Sequence, residues 1–166
     1  MAAEEYPLLN GNAPSWADVS TVINVAGGAT HKDIDYKSIK WSSKRSFGEQ
    51  RGASGGRVIR QTTGSIKDEG SCEYYKSGLI KLVEALIPVA PRRGNRVRIS
   101  MVQFDIVILH SVPGDPKVYH EEMRGCRLSS FESSLTEGDE PEIVPMDLAP
   151  MECVWVLEDG TEVGLL

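Results

Sequence analysis

Cysteine is scarce in this chain. Three residues, Cys72, Cys126 and Cys153, cannot build a disulfide scaffold and suit a reducing compartment. Long apolar runs are also missing. No stretch approaches the roughly eighteen residues of a membrane-crossing helix, so no membrane partner is expected. The opening MAAEEYPLL is acidic and lacks the charged-then-apolar layout of a secretory signal, so export by that route is not expected. Histidine occurs three times, at His31, His110 and His120, and no Cys-x-x-Cys pair accompanies it. That spacing matches no metal-ligand signature, and neither a metal nor any other cofactor is expected. A Gly-x-Ser-x-Gly elbow is absent, and RGASGGR lacks the Gly-Lys-Ser/Thr ending of a phosphate-cradling loop. Nothing in this inventory assembles a catalytic site, so the chain is not expected to be an enzyme.

One deficit is local. Lys and Arg are absent from Glu132 to Leu166, where ten acidic residues fall. The net charge of −6 for the whole chain therefore leaves the first 131 residues at +4. A chain with one acidic end and a basic remainder can attract copies of itself head to tail, or carry two solvated faces as a monomer. Aromatic residues are 7% and do not interleave with the basic ones, which disfavours nucleic-acid binding.

The 166 residues suffice for one domain with a genuine core. Residues 1–18 read as an N-terminal arm. VSTVINV (19–25) is a strand closed by Gly27-Gly28. Along KDIDYKSIKWSS (32–43) the alternation changes phase, which requires a bulge or a break. SSKRSFGEQRGASGG (42–56) carries almost nothing apolar except Phe47 and reads as a long exposed loop. Arg57–Thr63 and Ser65–Tyr75 read as two strands about Gly64. Leu79, Ile80, Leu82, Val83, Leu86 and Ile87 recur at helical spacing, predicting one helix over Ser77–Ile87 with Ser77 as N-cap and Pro88 as stop. Arg96–His110 reads as the strongest strand, with Val102, Phe104, Ile106 and Ile108 on one face and Gln103 and Asp105 on the other. Further strands follow at Lys117–Met123, Ile143–Leu148 and Cys153–Leu157, the last returning through a type I′ turn at Asp159-Gly160. Eight to ten strands and one helix predict a mainly β, antiparallel sandwich or barrel with the helix packed against it.

Three stretches together resemble the tail tube proteins of tailed bacteriophages, chiefly the contractile-tailed kind. In the first, residues 62–88, Gly70, Ser71, Tyr75, Ser77, Gly78 and the Leu79–Leu86 stripe hold the family's places before and along its single helix. The second, residues 124–156, carries a Gly-Cys-x-Leu strand, a Ser-rich stretch with EGDE, and VPMDLAPM before a closing hairpin. The third is the basic glycine-rich loop before residue 60, where such proteins carry a long arm. The resemblance implies a structural protein of the virion tail, made in the bacterial host cytoplasm. Its copies would close into six-membered rings, stacked into a hollow tube through which DNA passes. It also implies tail sheath, baseplate and tail terminator partners. Type VI secretion and contractile bacteriocin tubes share the fold.

For such an assembly, Lys44, Arg45, Arg51 and Arg57, with Phe47 as apolar anchor, are expected to face Glu137, Asp139, Glu140 and Glu142 of a neighbour. Gln103 and Asp105 are candidates for the bore. Two alternatives use the same residues differently: a monomeric or dimeric β-barrel binding module working through loop 42–56, and a small hydrolase using His110 or His120.

Overall fold

The computed structural model describes residues 19–28, 30–33, 36–51, 58–111, 117–132 and 142–164. The arm expected at 1–18 lies outside them, as do Arg57, Glu137, Asp139 and Glu140. The strands are β1 (Val19–Val25), β2 (Thr30–Asp33), β3 (Tyr36–Arg51), β4 (Val58–Tyr75), β5 (Arg92–Arg93) and β6 (Arg96–Val97), then β7 (Phe104–Ser111), β8 (Val118–Phe131), β9 (Ile143–Ala149), β10 (Glu152–Val156) and β11 (Glu162–Gly164). Among the described residues one α-helix, α1 (Lys76–Leu86), lies between β4 and β5.

All pairings among the described strands are antiparallel. The main sheet runs β2-β1-β7-β8-β9-β4-β3, with β10 and β11 joined at β8. Strand β8 belongs to two halves of this sheet. Its first part pairs with β7 and β10, and Arg127–Phe131 pairs with β9. Between them Gly125 has φ +62, a left-handed conformation that a side chain disfavours. The register of β8 against β7 slips beside it, between Phe104 and Ile106. This bulge bends the strand, and the two halves then enclose a common core.

That core joins Ile23, Phe104, Ile106 and Ile108 of one half to Cys72, Tyr74, Met146 and Leu148 of the other. The alternation of apolar residues along β1, β7 and β9 places them there, since successive side chains point to opposite faces. Leu82 and Leu86 of α1 join the same cluster. Thr21 is the one buried polar residue among those described, and its hydroxyl donates to the Tyr36 hydroxyl. Burying a hydroxyl without such a partner costs about 1–3 kcal/mol.

The mainly β sandwich with one helix is thus as expected, and several boundaries differ. Where the alternation changes phase, the described residues show a register shift between Tyr36 and Ser38 at the start of β3. Residues 42–51 are strand, not loop: they continue β3 and pair with β4 as far as Arg51 opposite Val58. Gly64 lies inside β4 and does not divide it. A Cβ there would fall 2.3 Å from the Ser46 carbonyl oxygen, so the close approach of the two strands requires glycine. The helix starts at Lys76 after Tyr75, with no side-chain cap from Ser77. Instead the Lys76 N–H donates to the Glu142 carbonyl at 3.1 Å.

Arg96–His110 is not one strand. A two-stranded turn through Gly94 (φ +61) and a 3-10 turn at Ile99–Met101 precede β7. At the closing hairpin, Gly160 N–H donates to Leu157 O, Leu157 N–H donates to Thr161 O, and Gly160 has φ +79. That is a three-residue loop with glycine in the left-handed position, not a two-residue type I′ turn.

Candidate assembly surface

Strands β3 and β4 carry the first group of candidate residues. Below Gly70, β4 has left β9, so residues 42–51 and 58–69 form a two-stranded arm beyond the body. Ile39 pairs with Cys72, Trp41 with Gly70, Ser43 with Asp68 and Arg45 with Ile66, so the core-facing side of the body continues into one side of the arm. Between Arg45 and Phe47 the register shifts, three residues of β4 opposing two of β3, so the extra residue lies on β4 and Phe47 follows the side of Arg45 along β3, 58% exposed. Only the base of the arm meets the body, where Ser43 hydrogen-bonds the Cys153 thiol of β10, and polar residues dominate beyond it.

The expected basic residues already have neighbours within the chain. Lys44 lies 3.6 Å from Glu69, and Arg51 donates to Glu49 at 3.0 Å. Lys67 and Lys44 together hold the Glu69 carboxyl below its usual range, with the Lys67 contact at 2.6 Å as the larger cause. Exposed pairs of this kind contribute little, about 0–1 kcal/mol, and can exchange partners cheaply. Arg45 is different. It is half-buried, and its Nε has no hydrogen-bond partner among the described residues.

On the acidic side, Glu142 does not stand free. Its carboxylate holds Lys76 Nζ at 2.7 Å, at the start of α1. Gln103 and Asp105 lie opposite to the core face, as their spacing predicted. The Asp105 carboxylate accepts the Gly125 N–H at 2.7 Å and thereby fixes the β8 bulge. Gln103 Nε2 lies 3.4 Å from Met151 Sδ.

A second surface escaped the sequence reading. Past Ile108, no described residue covers the core-facing side of β7, β8 and β10, which becomes a groove of about 610 Å³. His110 stacks on Tyr119 there, with ring centroids 5.0 Å apart and planes 13° from parallel. Glu121 pairs in register with Ile108 and Trp155, which brings a carboxylate to the end of the core. Its burial raises its pKa, an effect opposed by His110 and by a hydrogen bond from Trp155. Glu121 Oε2 has no hydrogen-bond partner among the described residues. Tyr119, Trp155 and Leu157 remain 43–49% exposed at this groove. The signal was present as period-two alternation through Tyr119-His120-Glu121 and Trp155-Val156-Leu157, hidden by the charged residue in the first run.

On the opposite side of β8 Arg124 bridges two carboxylates. Arg124 reaches across β10 to Glu162 on β11 with two bonds of 2.9 and 2.6 Å, and its Nε donates to Glu122 at 2.6 Å. His120 Nε2 lies 2.8 Å from Glu122. By register His110 pairs with Tyr119 and His120 with Leu109, so the two histidines take alternate faces and do not converge on one site. The three thiols are buried, as small apolar residues would be. Burial pushes the Cys126 thiol up to about 12 and the Cys153 thiol to about 11, which suppresses the thiolate.

No protein-family model and no curated protein sequence matches the chain. Its architecture does match solved structures. The SPP1 tail tube superposes with a TM-score of 0.59 at 18% identity, over 92% of this chain and 80% of that one. The sheath/tube terminator of an extracellular contractile injection system gives 0.55 at 14% identity, over 92% and 99%. A chain of the anti-feeding prophage baseplate, six-fold symmetrised, gives 0.53 at 9%, over 97% and 98%. The fold is that of the tail tube proteins.

Proposed function

We propose that this chain is the subunit of a hollow tail tube. Six copies close into a ring, rings stack, and phage DNA passes down the bore to the host. The observation that carries this reading is the shared architecture with chains of tail tubes and contractile injection systems across more than nine-tenths of the sequence. Elementary physics supports it. Strands β2, β3 and β11 each lie at a sheet edge with one described neighbour, and an unpaired edge is a template for another chain. Sharing strands between copies turns that hazard into an assembly mechanism, and unlike surfaces joined head to tail close as rings or run on as filaments.

In this reading, sheath, baseplate and terminator proteins surround and end the tube, which assembles in the host cytoplasm and works in the virion tail. The tube is structural and catalyses nothing. A bore for DNA should repel phosphate, and the net charge of −6 per copy favours that, with Gln103 and Asp105 as bore candidates. The basic residues Lys44, Arg45, Arg51 and Arg57 and the acidic residues Glu137, Asp139, Glu140 and Glu142 form the unlike surfaces, and the pairs already made within the chain exchange on assembly.

A second reading is the tube of an injection system that delivers something other than DNA. It is favoured by the match to extracellular contractile injection systems. Negative-stain imaging of the concentrated protein tests the common claim: stacked rings or tubes support it, and a monomer at every concentration rejects it. DNA found within native particles separates the two cargoes.

A further inference from the structure

Exposed large apolar side chains are not scattered evenly on this chain. Of the eleven among the described residues, Phe47, Val58 and Ile66 lie on the arm, and Val118, Tyr119, Trp155 and Leu157 line the groove past Ile108. Patches of this kind mark interaction surfaces. The charges of the two are opposed. The groove holds Glu121, Glu158 and Asp159 against Lys117. The arm carries Lys44, Arg45, Arg51, Arg60 and Lys67 against Glu49, Asp68 and Glu69. Each surface also has a buried polar atom with no hydrogen-bond partner among the described residues: an acceptor at Glu121 Oε2 and a donor at Arg45 Nε.

We infer that the groove bounded by Tyr119, Glu121 and Trp155 receives the arm of a second copy of this chain, with Phe47 as the inserted anchor and Arg45 turned toward Glu121. Both surfaces are continuations of core-facing sides that run out beyond the core. One copy's arm therefore offers the groove what the opposite half of the sheet offers the core: an apolar, strand-borne surface. The contact is heterologous, arm to groove, so it leaves a free arm and a free groove at each end and propagates. It deepens the tube reading and rests on it for the assembly it serves. The receptor it assigns is the β7–β8–β10 groove, whereas the segment around Glu137–Glu142 was the partner expected from charge alone.

Two measurements test it. Phe47→Glu is expected to leave the thermal unfolding of the dilute subunit unchanged, because the side chain is exposed, and to raise the concentration needed for tube formation about ten-fold or more, as loss of one buried aromatic anchor does. A doubly substituted chain, Phe47→Cys with Trp155→Cys, is expected to give a ladder of covalent multimers on mild oxidation and monomers on reduction. Wild-type-like assembly of Phe47→Glu, or assembled tubes that yield no ladder, overturns the inference and leaves the tube reading standing. A cross-link confined to single chains also overturns it, since the arm then closes on its own groove. Wild-type protein that never forms tubes overturns the tube reading instead, and an interchain ladder would still establish the contact.

Discussion

Strand β4 lives in two environments. From Gly70 to Tyr75 it has β3 on one side, β9 on the other and a core beneath, and Cys72 and Tyr74 are buried. From Val58 to Glu69 it has β3 alone among the described neighbours, and its side chains are mostly exposed. Both stretches are extended strand, yet their energetics differ. In the body, burial of apolar area stabilises the strand by roughly 25 cal/mol per Å². In the arm the ladder stands with little apolar area beneath it, and an isolated hairpin is marginal in water. The same extended strand thus serves folding at one end and stays largely exposed at the other.

Substitutions should widen or erase this difference. The largest effect is expected in the body. Phe104→Ala removes a side chain that is 1% exposed and should cost about 3–5 kcal/mol in denaturant unfolding. An equal loss from Phe47→Ala in the dilute subunit would mean that the arm is packed like the core. Gly125→Ala comes next. The new Cβ would meet Met151 Sδ at 2.8 Å, in a left-handed backbone, for about 1–3 kcal/mol of destabilisation.

Glu121→Gln should act more weakly and in the opposite direction. Because burial raises the Glu121 pKa, ionising it costs the fold stability, and that cost is fully present above the raised folded value. It fades as pH falls through that value toward the ordinary carboxylate range. The variant's melting temperature should therefore exceed wild type at pH 7–8, and the gain should vanish in acid. A gain independent of pH would remove the charge from the explanation. The smallest global effect belongs to Gly64→Ala. Its Cβ would collide with Ser46, so amide exchange in the arm should rise sharply while overall unfolding shifts by less than about 0.5 kcal/mol.

This division also explains what could be read from the sequence. The face formed by Val102, Phe104, Ile106 and Ile108, and the stripe on α1, were legible because burial writes itself as periodicity. All four of the former are buried, and Leu82 and Leu86 of the stripe are too. Residues 42–51 were misread as loop for the converse reason. Beyond its base the arm is exposed, so nothing forced apolar alternation, and cross-strand pairing makes it a strand. The groove was missed because its residues follow the core pattern and then break it with Glu121. The Lys76–Glu142 pair, 66 residues apart, needed three-dimensional proximity that composition does not encode. The tail-tube architecture itself was recoverable from three short stretches spread over the chain.

The unbroken run of β4 from Val58 to Tyr75 has a mechanical consequence. Ladder hydrogen bonds lie across the strands, so a pull along the arm loads them side by side. Such a load shears the β4–β9 ladder, whose rungs bear it together and are not peeled one at a time. Tension on the arm is carried along β4, past the register shift opposite Arg45 and Phe47, to the stretch that holds Tyr74. A lattice linked through these arms would respond to extension stiffly, as a braced frame does.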